Sequence, residues 1–158
     1  MRKVIKVLWI INTEFKHNLD KKINEGWIVG ALLSLAKVDI YDNIEINFLF
    51  PKLGGKSIES GFHEKGRYFS FPRRKAFGFF PVVSTRYSYR SKKKIKSVID
   101  EISPDILHVY GTEFVHSRIA IEYFNKPSRT IIHIQGLVSV IAKHCETGFP
   151  FWVKHLFV

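Results

Sequence analysis

The sequence has a single cysteine and no apolar run long enough to cross a membrane, and both shortages restrict what the protein can be. Cys145 cannot form an internal disulfide, which excludes a disulfide-stapled secreted scaffold and favours a reducing compartment. No apolar run reaches the ~18–20 residues of a membrane-spanning helix. Glu14 and Lys16 follow the apolar segment VIKVLWII with no small-residue cleavage site, so we predict no signal peptide and a cytoplasmic location.

Several short motifs that mark common reaction types are also missing. The sequence contains no GxxxxGK[ST] loop, no GxGxxG after its first apolar run, no CxxC pair and no GxSxG elbow. Its histidines show no metal-ligand spacing with a carboxylate, and we therefore predict no metal site. Cys145 beside His144 is a poor nucleophile–base pair, because adjacent residues of a helix point about 100° apart.

Positive charge is what the sequence has in excess. The chain contains 25 Lys and Arg against 14 Asp and Glu, a net charge of +11. Residues 62–96 hold eleven of the basic residues and one carboxylate, Glu64, so this stretch carries +10 of that total. Interleaved aromatic residues suit an anionic membrane face, a phosphorylated substrate or a nucleic acid, whereas the alternative is a solvated loop and a lysine-rich helix face. The candidate anion contacts are Arg73, Arg74, Lys92, Lys93 and Lys94.

Apolar runs rich in β-branched residues alternate with helical patterns along the 158 residues. We predict strands at residues 4–11, 44–50, 67–71, 106–110 and 129–134. We predict helices at residues 26–38, 89–102, 113–124 and 137–144. This alternation favours one α/β domain, 1–158, with a parallel sheet and helices covering it. Because the chain stops within an apolar stretch, we expect it to be part of a longer protein.

Ligands of open α/β sheets bind beyond the carboxyl ends of the strands, and three segments of the sequence fall there. The first follows strand 4–11 and leads to a helix N-terminus near Gly26. The other two are glycine turns after the fourth and fifth strands, where the absence of a side chain lets a ligand approach the backbone. The candidate residues in and beside these turns are His108, Gly111, Thr112, Glu113, Gln135 and Gly136.

Each of these residues also has a structural interpretation. His108 and His133 lie within apolar strands, where a histidine is often part of the core. Glu113 is the kind of acidic residue that a helix dipole favours in a first turn. Gly26 is equally consistent with a helix start that packs on the sheet.

Four segments together resemble the N-terminal half of a GT-B glycosyltransferase of glycosyltransferase family 4. They are KVLWIINTE, GWIVGALLSLAK, PDILHVYGTEFVHS and RTIIHIQGL. The third is similar to the family's Pro-Asp-hydrophobic-His-x-His-Gly segment, and the order and spacing of all four cover residues 6–150. The resemblance implies a Rossmann-like domain, one half of a GT-B fold, that binds the acceptor of a sugar transfer.

The resemblance further implies transfer from a nucleotide-sugar, usually with retention and without a metal or other cofactor. The donor is then bound mainly by a C-terminal domain whose Glu-x7-Glu motif would follow Val158. Gly26, His108 and Gly111 match family positions, whereas Tyr110 replaces a second histidine. Gln135 stands where many members have a histidine near the transferred sugar, and a glutamine cannot titrate as a base. Transfer then depends on positioning and charge stabilisation.

Two functional hypotheses follow from this resemblance. The first is the acceptor-binding half of a cytoplasmic glycosyltransferase that acts on a glycan or lipid-linked acceptor in cell-surface polysaccharide synthesis. It would lie on the inner face of the membrane and be inactive without its donor-binding half. The alternative is a non-catalytic module that pairs with a separate donor-binding chain, for which the apolar end FWVKHLFV suits an interface. No recognition motif accompanies the charge, so we predict no nucleic-acid partner.

Overall fold

Strands and helices alternate along most of the chain in a computed structural model, which describes residues 3–13, 26–38, 41–53, 59–73, 89–112 and 114–134. The strands in these ranges are β1 Ile5–Ile10, β2 Ile44–Leu53, β3 Ser60–His63, β4 Gly66–Arg73, β5 Ile106–Tyr110 and β6 Thr130–His133. The helices are α1 Gly26–Leu35, α2 Tyr89–Ile102 and α3 Val115–Phe124. Short 3-10 turns precede β2 and β6.

The six strands form one mixed sheet in the order β3-β4-β2-β1-β5-β6. Every neighbouring pair is parallel except β3 and β4, which are antiparallel. Without β3, the parallel strands lie in the order third, second, first, fourth, fifth, which is the doubly wound order of Rossmann-like folds. The predicted α/β class with a mainly parallel sheet is therefore confirmed.

Helices cover both faces of this sheet, as right-handed crossovers in two directions require. Helix α1 packs on the face that we call the α1 face, through Ile28 and its half-buried neighbours Ala31, Leu32 and Leu35. Helices α2 and α3 pack on the opposite face, the α2–α3 face. The buried residues of the α1 face are Val7, Trp9, Ile11, Ile28, Ile46, Phe48, Phe50 and Tyr110.

Local signals explain where α2 and α3 end. Helix α2 has the predicted bounds, buries Ile95, Val98, Ile99 and Ile102 on one side, and is followed by Ser103 at φ 48. Helix α3 ends at Asn125, whose left-handed φ of 48 lets its N–H cap the carbonyl of Ile121 at 3.0 Å.

The turn into β5 is held by Asp105. Its carboxylate accepts hydrogen bonds from the backbone N–H of Lys6 and from the Lys3 ammonium, each at 3.1 Å. The backbone hydrogen bond from Lys6 and then the Lys3 side chain lower the pKa of Asp105 below its usual range. The start of β1 is thereby attached to the start of β5, its neighbour in the sheet.

Strand β2 runs on past Pro51, where we had predicted its end. The carbonyl of Leu49 accepts a hydrogen bond from the N–H of Ile11 at 3.1 Å, so the carbonyl of Leu49 points toward β1. Because the backbone direction repeats every two residues along a strand, the nitrogen of Pro51 points toward β1 as well. Because β1 ends at Ile10, a missing N–H at Pro51 leaves no ladder bond unmade. On its other side β2 continues to pair with β4 as far as Leu53.

Strand β3 lies in a stretch that we predicted as turns, and its stabilisation comes from its neighbours. The Glu59 N–H donates to the Ser70 hydroxyl at 2.8 Å, which starts the antiparallel pairing with β4. Gly66 opens β4 so close to β2 that a Cβ would lie 2.3 Å from the carbonyl oxygen of Ile46. The other differences are small: α1 is shorter than predicted, and α3 begins two residues later. The predicted helix 137–144 lies outside the described residues.

Candidate functional site

The strand order changes direction between β1 and β5, and the carboxyl ends of these two strands form the candidate site. Gly111 follows β5 with a φ of 84, a conformation that a side chain would strain. Its N–H donates to the carbonyl of His133 at 2.8 Å, which ties this turn to the end of β6. Thr112 comes next and is exposed. The structure thus places Gly111 and Thr112 at the edge where the sequence predicts a ligand.

His116 connects the start of α3, the helix after β5, with the loop that follows β1. It lies in the first turn of α3, is fully buried, and its Nε2 is 3.0 Å from Oδ1 of Asn12, the second residue after β1. With the amide oxygen as acceptor, Nε2 carries the proton. The His116 ring also contacts that of Phe71 near the end of β4, at 5.3 Å between centroids. One imidazole therefore connects the carboxyl ends of β1 and β4 with the start of α3.

The start of α3 has no side-chain cap. Phe114 occupies the N-cap position and makes no capping hydrogen bond, and its ring stacks on that of His116 at 5.6 Å. The hydroxyl oxygen of Ser117 is buried and has no hydrogen-bond partner in the described part of the chain. Helix N-termini carry partial positive charge, so this end of α3 presents backbone donors at the carboxyl edge.

His108 lies within β5 on the α1 face. Its ring stacks on Tyr110 at 4.2 Å and lies 5.7 Å from Trp9, and its buried Nε2 has no partner among the described residues. Burial, and to a lesser extent the charge of His133, lower the pKa of His108 to about 4. Burial also raises the pKa of Tyr110. At neutral pH both side chains are uncharged, so they can donate and accept hydrogen bonds but supply no charge.

Three of the predicted site residues lie outside the described residues, namely Glu113, Gln135 and Gly136. Their roles therefore stay predictions. Gly26 is the first residue of α1, as expected of a helix start. Of the predicted site residues, the described structure brings only Gly111 and Thr112 together at the carboxyl edge, whereas His108 faces the side of α1.

The basic stretch is only partly open to solvent. Arg67 bonds Glu101 at 2.5 Å and its guanidinium lies 4.7 Å from the centre of the Phe69 ring, while Lys65 bonds Asp42 at 3.0 Å. Both carboxylates come from outside residues 62–96. The high local charge in the sequence is therefore reduced by the fold.

The predicted anion contacts separate into two groups. Lys92 and Lys93 are exposed on α2, as predicted. Lys94 differs: it is half-buried, with Nζ 5.3 Å from the centre of the Phe69 ring, because its position turns it toward β4. Arg73 ends β4, and Arg74 lies outside the described residues.

His116 was not predicted as part of a site, although its hydrogen-bond partner Asn12 lies in the segment after the first strand that the carboxyl-edge rule selects. The available signal was the position of His116 one turn before Ile119 and Ala120, which placed it on the buried side of the helical pattern. Nothing local indicates its partner, which lies 104 residues earlier in the chain.

A depression of about 470 Å³ opens at the opposite edge of the sheet, between the ends of α2 and α3. Its carboxylates are already engaged: Asp100 accepts hydrogen bonds from the Tyr123 hydroxyl, and Asp105 holds the start of β1. Since ligands of doubly wound sheets bind at the carboxyl edge, this depression is not the candidate site.

No protein-family model matches the chain, and no curated protein is significantly similar to it in sequence. Within the described ranges, no group of three or more His, Cys, Asp and Glu side chains could hold a metal ion. None of the helices in those ranges is long and apolar enough to cross a membrane.

Proposed function

We propose that this chain is the acceptor-binding half of a glycosyltransferase with a GT-B fold. The observation that carries the proposal is the doubly wound strand order, with Gly111 at φ 84 beside the point where that order changes direction. Ligands of such sheets bind at this point. The segment PDILHVYGTEFVHS, which is central to the resemblance, supplies β5, the Gly111 turn and the start of α3.

The chain's part in such a reaction is to hold the acceptor. Gly111 is buried and its turn leads to Thr112, which is exposed and whose hydroxyl can donate to and accept from a sugar hydroxyl. The His116–Asn12 hydrogen bond holds the start of α3 against the loop that follows β1. Gln135 is proposed near the transferred sugar, and because a glutamine does not titrate, catalysis would rest on positioning and charge stabilisation. His108 remains a secondary candidate as a neutral hydrogen-bonding group.

The nucleotide-sugar donor would be bound by a second domain, in the same polypeptide or in a separate chain. The alternative function, a non-catalytic cytoplasmic module that pairs with a donor-binding chain, is favoured by exposed apolar side chains at β6. Ile131, Ile132 and Ile134 are 49%, 45% and 57% exposed. The mass of the native polypeptide in its source cells separates the two arrangements, since 18.4 kDa indicates a separate partner and about twice that mass indicates a second domain.

The proposal is tested by transfer assays on the chain together with its donor-binding domain or partner. The measured quantity is nucleoside diphosphate released from a panel of nucleotide-sugars, with glycolipids extracted from the source cells as acceptors. Gly111→Ala should reduce turnover at least about tenfold, because a Cβ at φ 84 strains the turn that positions Thr112. Gln135→Ala should reduce it as well.

The matched control is Gly30→Ala in α1, where a Cβ would meet nothing within 4 Å. This variant should keep full turnover. Absence of any sugar transfer by the complete assembly would overturn the proposal. Equal activity in the Gly111→Ala and Gly30→Ala proteins would remove the Gly111 turn from the site.

A further inference from the structure

The first two turns of α2 carry a group of basic side chains that the fold does not neutralise. These side chains, which we call the α2 cationic face, belong to Arg90, Lys92, Lys93 and Lys96. All four residues are exposed, and none forms an ion pair within the described part of the chain. The Lys96 ammonium contacts only an aromatic ring there, that of Tyr123 at 5.0 Å. Lys65, Arg67 and Lys94 of the same stretch are engaged elsewhere.

These charges lie at the end of the helix where they are least favourable. Helix N-termini carry partial positive charge and favour acidic side chains, yet the first turn of α2 contains none. Arg90 and Lys92 therefore add to the potential of the helix end. The α2 cationic face spans seven residues, or about 9 Å along the helix axis. Such a concentration of like charge is stabilised by an external anion.

The position of α2 places this face at the carboxyl edge of the sheet. The Ser91 hydroxyl donates to the Pro72 carbonyl at 2.8 Å, which fixes the first turn of α2 beside the end of β4. Phe71, the residue before Pro72, contacts the ring of His116 in the candidate site. The α2 cationic face and the candidate site therefore share one edge of the sheet.

We propose that the α2 cationic face docks the protein on the surface of an anionic lipid bilayer. The apolar side of α2 is buried against the sheet, so the helix lies along the molecular surface and presents its cations outward. Tyr89, the first residue of α2, is 78% exposed beside them, and tyrosine is enriched at the interface between membrane and water. Polybasic segments at a protein surface are attracted to anionic bilayers, and no nucleic-acid recognition motif accompanies these charges in the sequence. The proposal does not depend on the glycosyltransferase function.

The test is binding of the chain to vesicles of phosphatidylcholine containing about 30% phosphatidylserine, at a salt concentration near 0.1 M. We expect binding to these vesicles and none to vesicles of phosphatidylcholine alone. Each basic residue near an anionic leaflet strengthens binding about fivefold. The triple variant Arg90→Gln, Lys92→Gln and Lys93→Gln should therefore bind about 100-fold more weakly. Its melting temperature should be unchanged or higher, because glutamine keeps helix propensity and the unfavourable charges are gone.

The matched control is the triple variant Lys37→Gln, Lys126→Gln and Arg129→Gln. It loses the same charge from exposed residues on other elements, and it should bind within about threefold of the parent. No binding to anionic vesicles, or equal loss in both triple variants, would overturn the proposal. Tighter binding to a single-stranded oligonucleotide than to vesicles, lost in the α2 variant alone, would also overturn it and assign the face to a nucleic acid. The vesicle test contains no nucleotide-sugar and no glycan acceptor, so its outcome does not depend on sugar transfer and the two proposals fail separately.

Discussion

The two faces of the sheet are built from different side chains, although the same strands supply both. On the α2–α3 face, aliphatic residues such as Leu8, Leu107 and Val109 are fully buried between the strands and the two helices. On the α1 face, Trp9 contacts Phe48 and Tyr110, at 5.4 and 4.9 Å between ring centroids. Aliphatic side chains therefore make up most of the first face, which holds only the three buried rings of Phe69, Phe71 and Phe124, whereas half of the buried residues on the second face are aromatic.

Imidazoles extend this row of rings at both ends. His63 packs on Phe48 at 5.0 Å, and His133 packs on Tyr110 at 5.3 Å. His108 lies between Tyr110 and Trp9. His63 and His108, the two imidazoles whose pKa is lowered by burial, therefore both lie on the α1 face, and this face adds a pH-dependent contribution to stability.

Adjacent residues of β5 offer the sharpest test, because Leu107 faces one side of the sheet and His108 the other. Leu107→Ala should lower the free energy of unfolding by about 2–5 kcal/mol, since the residue is fully buried and leaves a cavity. His108→Leu should leave this free energy unchanged or raise it by up to about 1 kcal/mol, because it removes a buried nitrogen without a partner. Urea titration measures both values. Similar losses of unfolding free energy in the two variants would mean that the two faces do not differ in this way.

A smaller effect is expected from pH. As pH falls below the usual value of 6.5, the unfolded chain protonates His108, whereas the folded protein does so only near its pKa of about 4. The folded state therefore binds fewer protons, and stability present above pH 6.5 is lost as the pH falls from 6.5 to 4. Between pH 7 and 5 we expect a loss of about 1 kcal/mol from this half-buried group, allowing for solvent screening.

Urea titration at the two pH values, on the parent and on His108→Leu, isolates this contribution. His63 acts with the same sign, since burial lowers its pKa, and it remains in both proteins. The parent should lose more stability than the variant over this interval. Equal losses of unfolding free energy in the parent and the variant would mean that the fold does not lower the pKa of His108.

The smallest effect concerns the helix that covers the α1 face. Gly30 lies in the middle of α1 with open space around its Cα, and the Ser34 hydroxyl donates to its carbonyl at 2.7 Å. Gly30→Ala should raise the free energy of unfolding by about 0.5–1 kcal/mol, because alanine loses less backbone freedom in a helix. A thermal melt measures the change. A destabilised variant would show that α1 approaches another surface at this point.

Local patterns predicted the elements that local physics determines. The bounds of α2 followed from an apolar repeat and the break at residues 103–105, and those of β5 from a short apolar run between two turns. Strand β3 was missed because its four residues include Gly61 and an exposed Phe62, and it is stabilised by pairing with β4. Propensity gives no indication of such a strand.

The candidate site was predictable only in outline. The rule for carboxyl edges selected Gly111 and Thr112 from the sequence, because both follow a strand directly. It did not select His116, whose place is set by a hydrogen bond to Asn12 far away in the chain. The sequence also did not show that Lys94 differs from the exposed Lys92 and Lys93. Consecutive residues of a helix point in different directions, and only the fold shows that Lys94 contacts Phe69.

The central position of β1 has a consequence for the order in which the protein is made. β1 pairs with β2 soon after synthesis, but its other neighbour, β5, begins only at Ile106. The roughly 60 residues between Leu49 and Val109 take about 3–12 s to translate at about 5–20 residues per second. For that time Leu8 and Ile10 lack the helices and the strand that cover them in the finished fold. The nascent chain therefore exposes the side of β1 that carries Leu8 and Ile10 until α2, β5 and α3 have been made.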